Sequence, residues 1–81
     1  MMTWFYAAMI LLASNGVPVS GPFSSEESFE SKAACEAAVE ELYEKPWVIS
    51  VIYSEVGDMH FIHFAENDVL YAYAIQCMPR Y

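Results

Sequence analysis

Residues 47–77, WVISVIYSEVGDMHFIHFAENDVLYAYAIQC, decide the fold of this chain. Side chains along residues 47–54 alternate between the two faces of a strand, which puts on one face Trp47, Ile49, Val51 and Tyr53. The Glu-Val-Gly-Asp segment and the later Asn-Asp pair are turn signals between β-rich runs. The stretch therefore predicts an antiparallel meander of three strands, at residues 47–54, 59–66 and 69–77.

A short amphipathic helix precedes this meander. Small or apolar side chains recur every three or four positions and form a stripe of Cys35, Ala38, Val39 and Leu42. The helix begins near Ser31, or earlier if Ser24 and Glu27 form a capping box. It ends before Pro46, which cannot continue a helix. The thin, alanine-rich stripe predicts close packing of the helix on a sheet.

The first quarter of the chain predicts a hairpin. Trp4 to Leu12 is a continuous apolar run, and Ser14-Asn15-Gly16 is a signal for a type I′ turn. The return segment, residues 17–23, carries two prolines, which suits a short edge strand. A secretory signal peptide is the alternative reading of the apolar run, but no Lys or Arg precedes it. We therefore expect a buried first strand.

These elements add up to one small α+β domain over residues 1–81, in the order β-β-α-β-β-β. One helix packs on an antiparallel sheet of about five strands. The composition is 57% hydrophobic and 16% aromatic, which is rich enough for a core without a metal or a dense disulfide framework. The sequence leaves open whether the first hairpin is central or at the sheet edge, and a loose tail is expected after Cys77.

The charge balance limits the class of partner. Three Lys/Arg against eleven Asp/Glu give a formal net charge of −8. Binding to nucleic acid or to an anionic membrane needs basic patches, so neither is expected. Basic proteins are the favoured partners. A homodimer is also compatible with so small a core.

The two cysteines leave two alternatives open. Cys35 and Cys77 form no C-x-x-C motif, and a zinc site would need more ligands than they and the two histidines could arrange. They either form one disulfide or remain as buried thiols that pack as small hydrophobic groups.

The sequence shows no strong catalytic or cofactor motif. His60 and His63 fall on opposite faces of one strand, so they cannot jointly bind a metal or act as an acid–base pair. The chain has three glycines and lacks both a Gly-rich phosphate loop and a G-x-S-x-G motif. We therefore expect no enzyme, no metal and no cofactor.

Acidic side chains are the main candidate for a binding surface. Glu36, Glu40 and Glu44 recur every four residues, about 6 Å apart along a helix, with Glu41 alongside. This row is sparser than the phosphates of duplex DNA, which carry one charge per about 1.7 Å, so on its own it would be a poor DNA mimic. Neighbouring acids could build a larger field, namely Glu26, Glu27 and Glu30 before the helix and Glu55, Asp58, Glu66 and Asp68 in the turns. The alternative is an ordinary solvated helix face. Lys32 and Lys45 are placed to pair with Glu36 and Glu41.

Tyrosines form a second candidate surface. Tyr71 and Tyr73 share one face of the last strand, and Tyr53 lies on its own strand. Exposed tyrosines are typical of protein contacts. The alternative is that they shield the sheet face that one helix leaves uncovered.

Several fold motifs resemble those of small acidic proteins encoded by bacteriophages and prophages. The resemblance covers about half the chain and consists of a hairpin, Gly-Pro-Phe, a Ser-capped helix with Cys-Glu-Ala-Ala, and a late Cys before Pro. The matching residues are Gly21, Pro22, Phe23, Ser31, Cys35, Glu36, Ala37, Ala38 and Cys77. Met78 separates Cys77 from Pro79, where the pattern has Pro directly. The resemblance implies an anti-CRISPR or other anti-defence inhibitor and carries no catalytic residues across.

We expect a non-enzymatic inhibitor in the cytoplasm of a bacterial host. It would bind a basic surface of a nucleic-acid-handling complex, by partial DNA mimicry or by blocking a subunit. The alternative is a small exported structural protein stabilised by a Cys35–Cys77 disulfide.

Overall fold

The computed structural model describes residues 2–80 and confirms the expected α+β fold. The strands are β1 (Thr3–Leu12), β2 (Pro18–Ser24), β3 (Ser50–Ser54), β4 (Met59–Glu66) and β5 (Val69–Arg80). The helix α1 (Lys32–Glu41) is extended by a 3₁₀ turn at Leu42–Glu44, and a second 3₁₀ turn at Val56–Asp58 joins β3 to β4.

All five strands form one antiparallel sheet in the order β2-β1-β5-β4-β3. The last strand is therefore central, and it joins the first hairpin to the meander. β1 lies between β2 and β5, which agrees with its continuous apolar sequence, and β2 is the edge strand that its prolines indicate. The apolar run is an interior strand of the sheet, but its residues are all only half-buried, so the expectation of a buried first strand was wrong.

The tail prediction and the start of the third strand were wrong. β1 continues to Thr3, which pairs with Arg80, so the ladder keeps residues 78–80 within β5; Tyr81 lies outside the described residues. β3 begins only at Ser50, because Pro46 is followed by a turn in which the Val48 amide donates to the Lys45 carbonyl at 3.1 Å.

Of the two hairpin turns, the one at Asn67-Asp68 is confirmed, and the one at Asn15-Gly16 differs from the expected type. Asn67 and Asp68 both have positive φ, 53° and 64°, as a type I′ turn requires. In the first hairpin Gly16 has positive φ but Asn15 does not, so the predicted type I′ turn at Asn15-Gly16 is wrong. The Asn15 side chain instead accepts a hydrogen bond from the Val17 amide at 3.0 Å, and the Gly16 amide donates back to Leu12 in a longer loop.

Helix α1 begins where the sequence predicts. The Ser31 hydroxyl accepts a hydrogen bond from the Ala34 amide at 3.0 Å, which caps the helix. The helix ends at Glu41, and the 3₁₀ turn ends before Pro46. Within residues 2–80, no helix is both long enough and apolar enough to span a membrane.

The buried core lies between α1 and one face of the sheet. It is formed by Cys35 and Val39 of the helix and by Ile62, Ile75 and Cys77 of the two neighbouring strands. The Sγ atoms of Cys35 and Cys77 are bonded, which decides between the two alternatives that the sequence left open. This disulfide fastens the helix to the central strand β5.

Removing the disulfide should lower the free energy of unfolding by a large fraction. The bond closes a loop over a sequence separation of 42 residues, for which the chain-entropy model gives about 4 kcal/mol. Denaturant unfolding of a Cys35→Ala/Cys77→Ala variant should therefore show a much lower midpoint than the oxidised protein. The reduced wild type is the matched control, because it keeps both sulfurs. An unchanged midpoint in both would contradict this role.

Candidate functional site

Helix α1 does not present its carboxylates as one continuous row. Glu36 and Glu40 line a cleft on the side of α1 that faces β3 and β4, whereas Glu41 lines a groove on the opposite flank. Glu44 lies in the 3₁₀ turn and is exposed. The acids that were expected to act together are therefore divided between two surfaces.

Glu36 is engaged with the sheet. His60 of β4 points towards the helix and is only 1% exposed. Its Nε2 contacts Glu36 Oε2, and its Nδ1 contacts the Tyr43 hydroxyl. In the tautomer that carries its proton on Nε2, Nδ1 accepts from the Tyr43 hydroxyl and Nε2–H donates to the Glu36 carboxylate. The network ties α1 and its 3₁₀ extension to β4.

This Glu36–His60–Tyr43 network has the geometry of a structural anchor. Both ring nitrogens of His60 contact side chains, so neither is free to act on a substrate. Burial, together with the charges of Glu40 and Glu36, raises the pKa of the Tyr43 phenol above 10.0, which disfavours a nucleophilic phenolate. Glu36 Oε1 is buried without a hydrogen-bond partner among the described residues.

A second polar cluster closes the end of the same cleft. Lys32 forms an ion pair with Asp58, and the Tyr53 hydroxyl donates to the other Asp58 oxygen at 2.6 Å. The hydrogen bond to Asp58 raises the pKa of Tyr53 to about 12. The hydrogen bonds from Lys32 and then Tyr53 hold the pKa of Asp58 below 3.8. Lys32 was expected to pair with Glu36 but pairs with Asp58, which the β3–β4 turn brings beside the helix.

Together these side chains form what we call the acidic cleft, a shallow cavity of about 500 Å³. It is lined by Lys32, Glu36, Glu40, Tyr43, Tyr53, Asp58 and His60. Most of its polar groups contact one another, so it offers few free groups to a ligand.

A larger cavity of about 700 Å³, which we call the aromatic groove, lies on the other flank of α1. Its walls are aromatic residues from the strands and from the two segments that flank the helix, namely Tyr6, Phe23, Phe29, Trp47 and Tyr73. Glu26, Glu27 and Glu41 also line it, as does Lys45. The groove thus combines an aromatic lining with three carboxylates.

Two of these aromatic side chains remain accessible to a partner. Phe23 is 47% exposed and Trp47 is 44% exposed. The Trp47 ring also packs edge-on against Phe64 and Tyr73, with centroids 6.0 and 5.8 Å away. Packing on one side holds the indole in place, while its other side faces the groove.

The predicted tyrosine surface is only partly one surface. Tyr71 and Tyr73 both stack on Phe64, with centroids 5.5 and 4.8 Å away, on the sheet face that carries α1. Tyr53 lies apart from them, in the acidic cleft. The sequence reasoning missed Trp47 and Phe23 as wall residues. The available signal was a preceding proline: Trp47 follows Pro46 in the turn after the helix, whereas Phe23 follows Pro22 inside the edge strand β2.

The two histidines lie on opposite faces of β4, as predicted. His60 is buried under the helix, whereas His63 lies on the face away from it, with its Nδ1 buried and without a hydrogen-bond partner among residues 2–80. Within the same residues, no group of three or more His, Cys, Asp or Glu side chains is arranged to hold a metal ion. Glu30 is exposed and lines neither cavity.

Comparison of the chain with protein-family models, with curated proteins and with solved structures found no match. The resemblance to phage-encoded inhibitors therefore stays a prediction.

The Lys32–Asp58–Tyr53 cluster predicts a specific pH dependence. Because the folded pKa of Asp58 lies below its ordinary 3.8, its stabilising effect is complete above about pH 3.8 and is lost as pH falls through the folded value. Asp58→Asn should lower the melting temperature at neutral pH, and the difference from wild type should shrink below pH 3.8. Asn also tolerates the positive φ of 50° at this position.

Glu55→Gln is the matched control, because it removes one negative charge from the same turn. We expect it to change the melting temperature less than Asp58→Asn at neutral pH. Equal effects of the two variants, or a difference that persists at acid pH, would show that the contacts of Asp58 do not stabilise the fold.

Proposed function

We propose that this protein is a non-enzymatic interaction protein whose aromatic groove binds a Lys/Arg-rich segment of a partner protein. The observation that carries the proposal is the groove itself. Its volume is about 700 Å³, and it contains two half-exposed aromatic side chains, those of Phe23 and Trp47. The carboxylates that line the same groove are those of Glu26, Glu27 and Glu41. Aromatic anchors within a polar rim are typical of protein-binding hot spots.

The groove chemistry selects a basic segment with apolar side chains. A guanidinium or ammonium group can lie over the exposed indole of Trp47 and also contact a carboxylate of the groove. The aliphatic part of a Lys or Arg side chain, or an adjacent apolar residue, can pack against Phe23. An acidic segment would meet three carboxylates and is disfavoured.

The overall charge supports the same class of partner. A net charge of −8 attracts a basic protein over a distance comparable to the Debye length, about 8 Å at physiological salt. Such attraction mainly raises the association rate and makes binding sensitive to salt. The contacts in the groove then supply specificity.

Nucleic-acid-handling proteins are the partners that this chemistry fits best, because their binding surfaces are rich in Lys and Arg. We propose that the protein inhibits such a complex by occupying a basic segment, as an anti-defence inhibitor would. Division of the helix carboxylates between two flanks of α1 favours capture in the groove over imitation of a regular phosphate ladder. The location in a bacterial cytoplasm belongs to the same proposal.

Charge-neutral variants of the groove test this proposal. The probe is a synthetic peptide of alternating arginine and leucine, and the measurement is its affinity by calorimetry at two salt concentrations. The triple variant Glu26→Gln/Glu27→Gln/Glu41→Gln should weaken binding about tenfold, which corresponds to 1.4 kcal/mol, and should flatten the salt dependence. Trp47→Ala should also weaken binding, because it removes the exposed anchor.

The control is Glu30→Gln/Glu44→Gln/Glu55→Gln, which removes the same three charges from positions that do not line the groove. An equal loss of affinity in both triple variants would show that the peptide responds only to the overall charge of the protein, which would contradict a binding site in the groove. A peptide of alternating glutamate and leucine should not bind. Pull-downs from nuclease-treated bacterial lysate then test the class of partner. If the captured proteins include no nucleic-acid-binding protein, the proposed partner class is wrong.

The disulfide favours a second candidate, an exported structural protein. The bonded Cys35–Cys77 pair is typical of proteins in oxidising compartments, whereas the cytosol keeps most thiols reduced. Alkylation of the protein in intact cells, followed by mass measurement, distinguishes the two. Two alkylated cysteines would contradict the exported candidate, and two protected cysteines would contradict a reducing cytoplasmic location.

A further inference from the structure

We propose that the sheet face opposite α1 is a two-fold interface between two copies of this chain. We call this surface the open face. This proposal goes beyond the function proposed for the aromatic groove, because the open face lies on the other side of the sheet and involves different residues.

The open face is apolar across four strands. The strand register aligns Met9, Ala74, Phe61 and Ile52 in one row across β1, β5, β4 and β3. Other apolar residues extend the surface along the strands, namely Phe5, Ala7, Leu11, Leu70, Ala72 and Met78. Ile52 is 58% exposed, and no helix of residues 2–80 lies over this side. A contiguous apolar surface of this kind marks an interaction site.

Small and large side chains lie side by side on the open face. Ala74 lies in the central strand β5 between Met9 of β1 and Phe61 of β4, whereas the neighbouring Ala72 is flanked by Leu11 and His63 and is only 4% exposed. A two-fold interface needs a low and a high region on the same surface, so that each copy fills the other. Here the large side chains of one copy can lie over Ala74 of its partner.

The charge distribution favours a second copy over a basic protein as the occupant. The outward side chains of β1, β3, β4 and β5 on this face include no Asp or Glu among residues 2–80. The eleven acids lie on the helix, in the loops and turns, and at the end of β4. Two copies can therefore meet without juxtaposed carboxylates, whereas a basic partner would find no counter-charge there.

The size of the open face is sufficient for a stable dimer. With strands about 4.8 Å apart and a rise of about 3.4 Å per residue, the four strands that carry the open face, β1, β3, β4 and β5, cover roughly 600 Å² of projected sheet. The accessible area of side chains exceeds the projected area, so each copy approaches the roughly 800 Å² of a standard interface. Two such sheets would pack about 10 Å apart, as in a β-sandwich.

Pairing through a sheet edge is disfavoured by comparison. The edge strand β2 contains Pro18 and Pro22, which lack an amide hydrogen, and the other edge strand, β3, has five residues. Face-to-face packing also leaves both aromatic grooves on the outside of the dimer, accessible to partners.

Sedimentation equilibrium over micromolar to millimolar protein tests the dimer. Wild type should be a dimer in the upper part of this range. Ile52→Lys and Leu70→Lys should each shift the dissociation constant by at least about tenfold towards monomer, because each buries an unpaired charge in the interface. Both residues are exposed in the monomer, so the circular dichroism spectrum should be unchanged.

The matched control is Val56→Lys, which makes the same charge change at a side chain that is 87% exposed in the β3–β4 turn. All three variants lower the net negative charge, so general repulsion cannot explain a loss of dimer in the first two. A wild type that is monomeric at every concentration would overturn the proposal, even if the open face bound lipid vesicles or another protein. A dimer unaffected by both open-face variants would also overturn it.

Discussion

The structure depends on one constraint, which is that a ten-residue helix must cover a five-stranded sheet. Such a helix is about 15 Å long and about 10 Å wide. The sheet is about 20 Å wide, and its longest strand of twelve residues reaches about 40 Å. One helix therefore shields only the middle of one face. The disulfide ties the helix to β5, and the Glu36–His60–Tyr43 network ties it to β4.

The surfaces with functional interest follow from this partial coverage. The acidic cleft and the aromatic groove lie on the two flanks of α1, where the helix ends its contact with the sheet. Most polar groups of the acidic cleft contact one another, whereas the aromatic groove keeps accessible aromatic rings beside carboxylates. The open face lies on the side that no helix covers. The aromatic groove and the open face are chemically different, but both exist because one short helix covers only part of the sheet.

Local sequence signals predicted much of the fold, and long-range pairings limited the prediction of the site. The period-two pattern and the Ser31 cap depend on neighbouring residues, so strand number and helix start were readable. The sheet order was not, because pairing of β1 with β5 joins opposite ends of the chain. His60 meets Glu36 across 24 residues and Lys32 meets Asp58 across 26. Local spacing had instead paired Lys32 with Glu36 along the helix.

The solvent accessibility of methyl groups on the two faces of the sheet tests most directly whether α1 covers one face and leaves the other exposed. In nuclear magnetic resonance spectra of dilute protein, a neutral gadolinium chelate should strongly relax the methyl groups of Ile52, Leu70 and Met78 on the open face. It should relax those of Val39, Ile62 and Ile75 only weakly, because they are buried in the core between the helix and the sheet. Similar relaxation of the two sets would contradict the account, since it would mean that α1 does not divide the sheet into a covered and an open face.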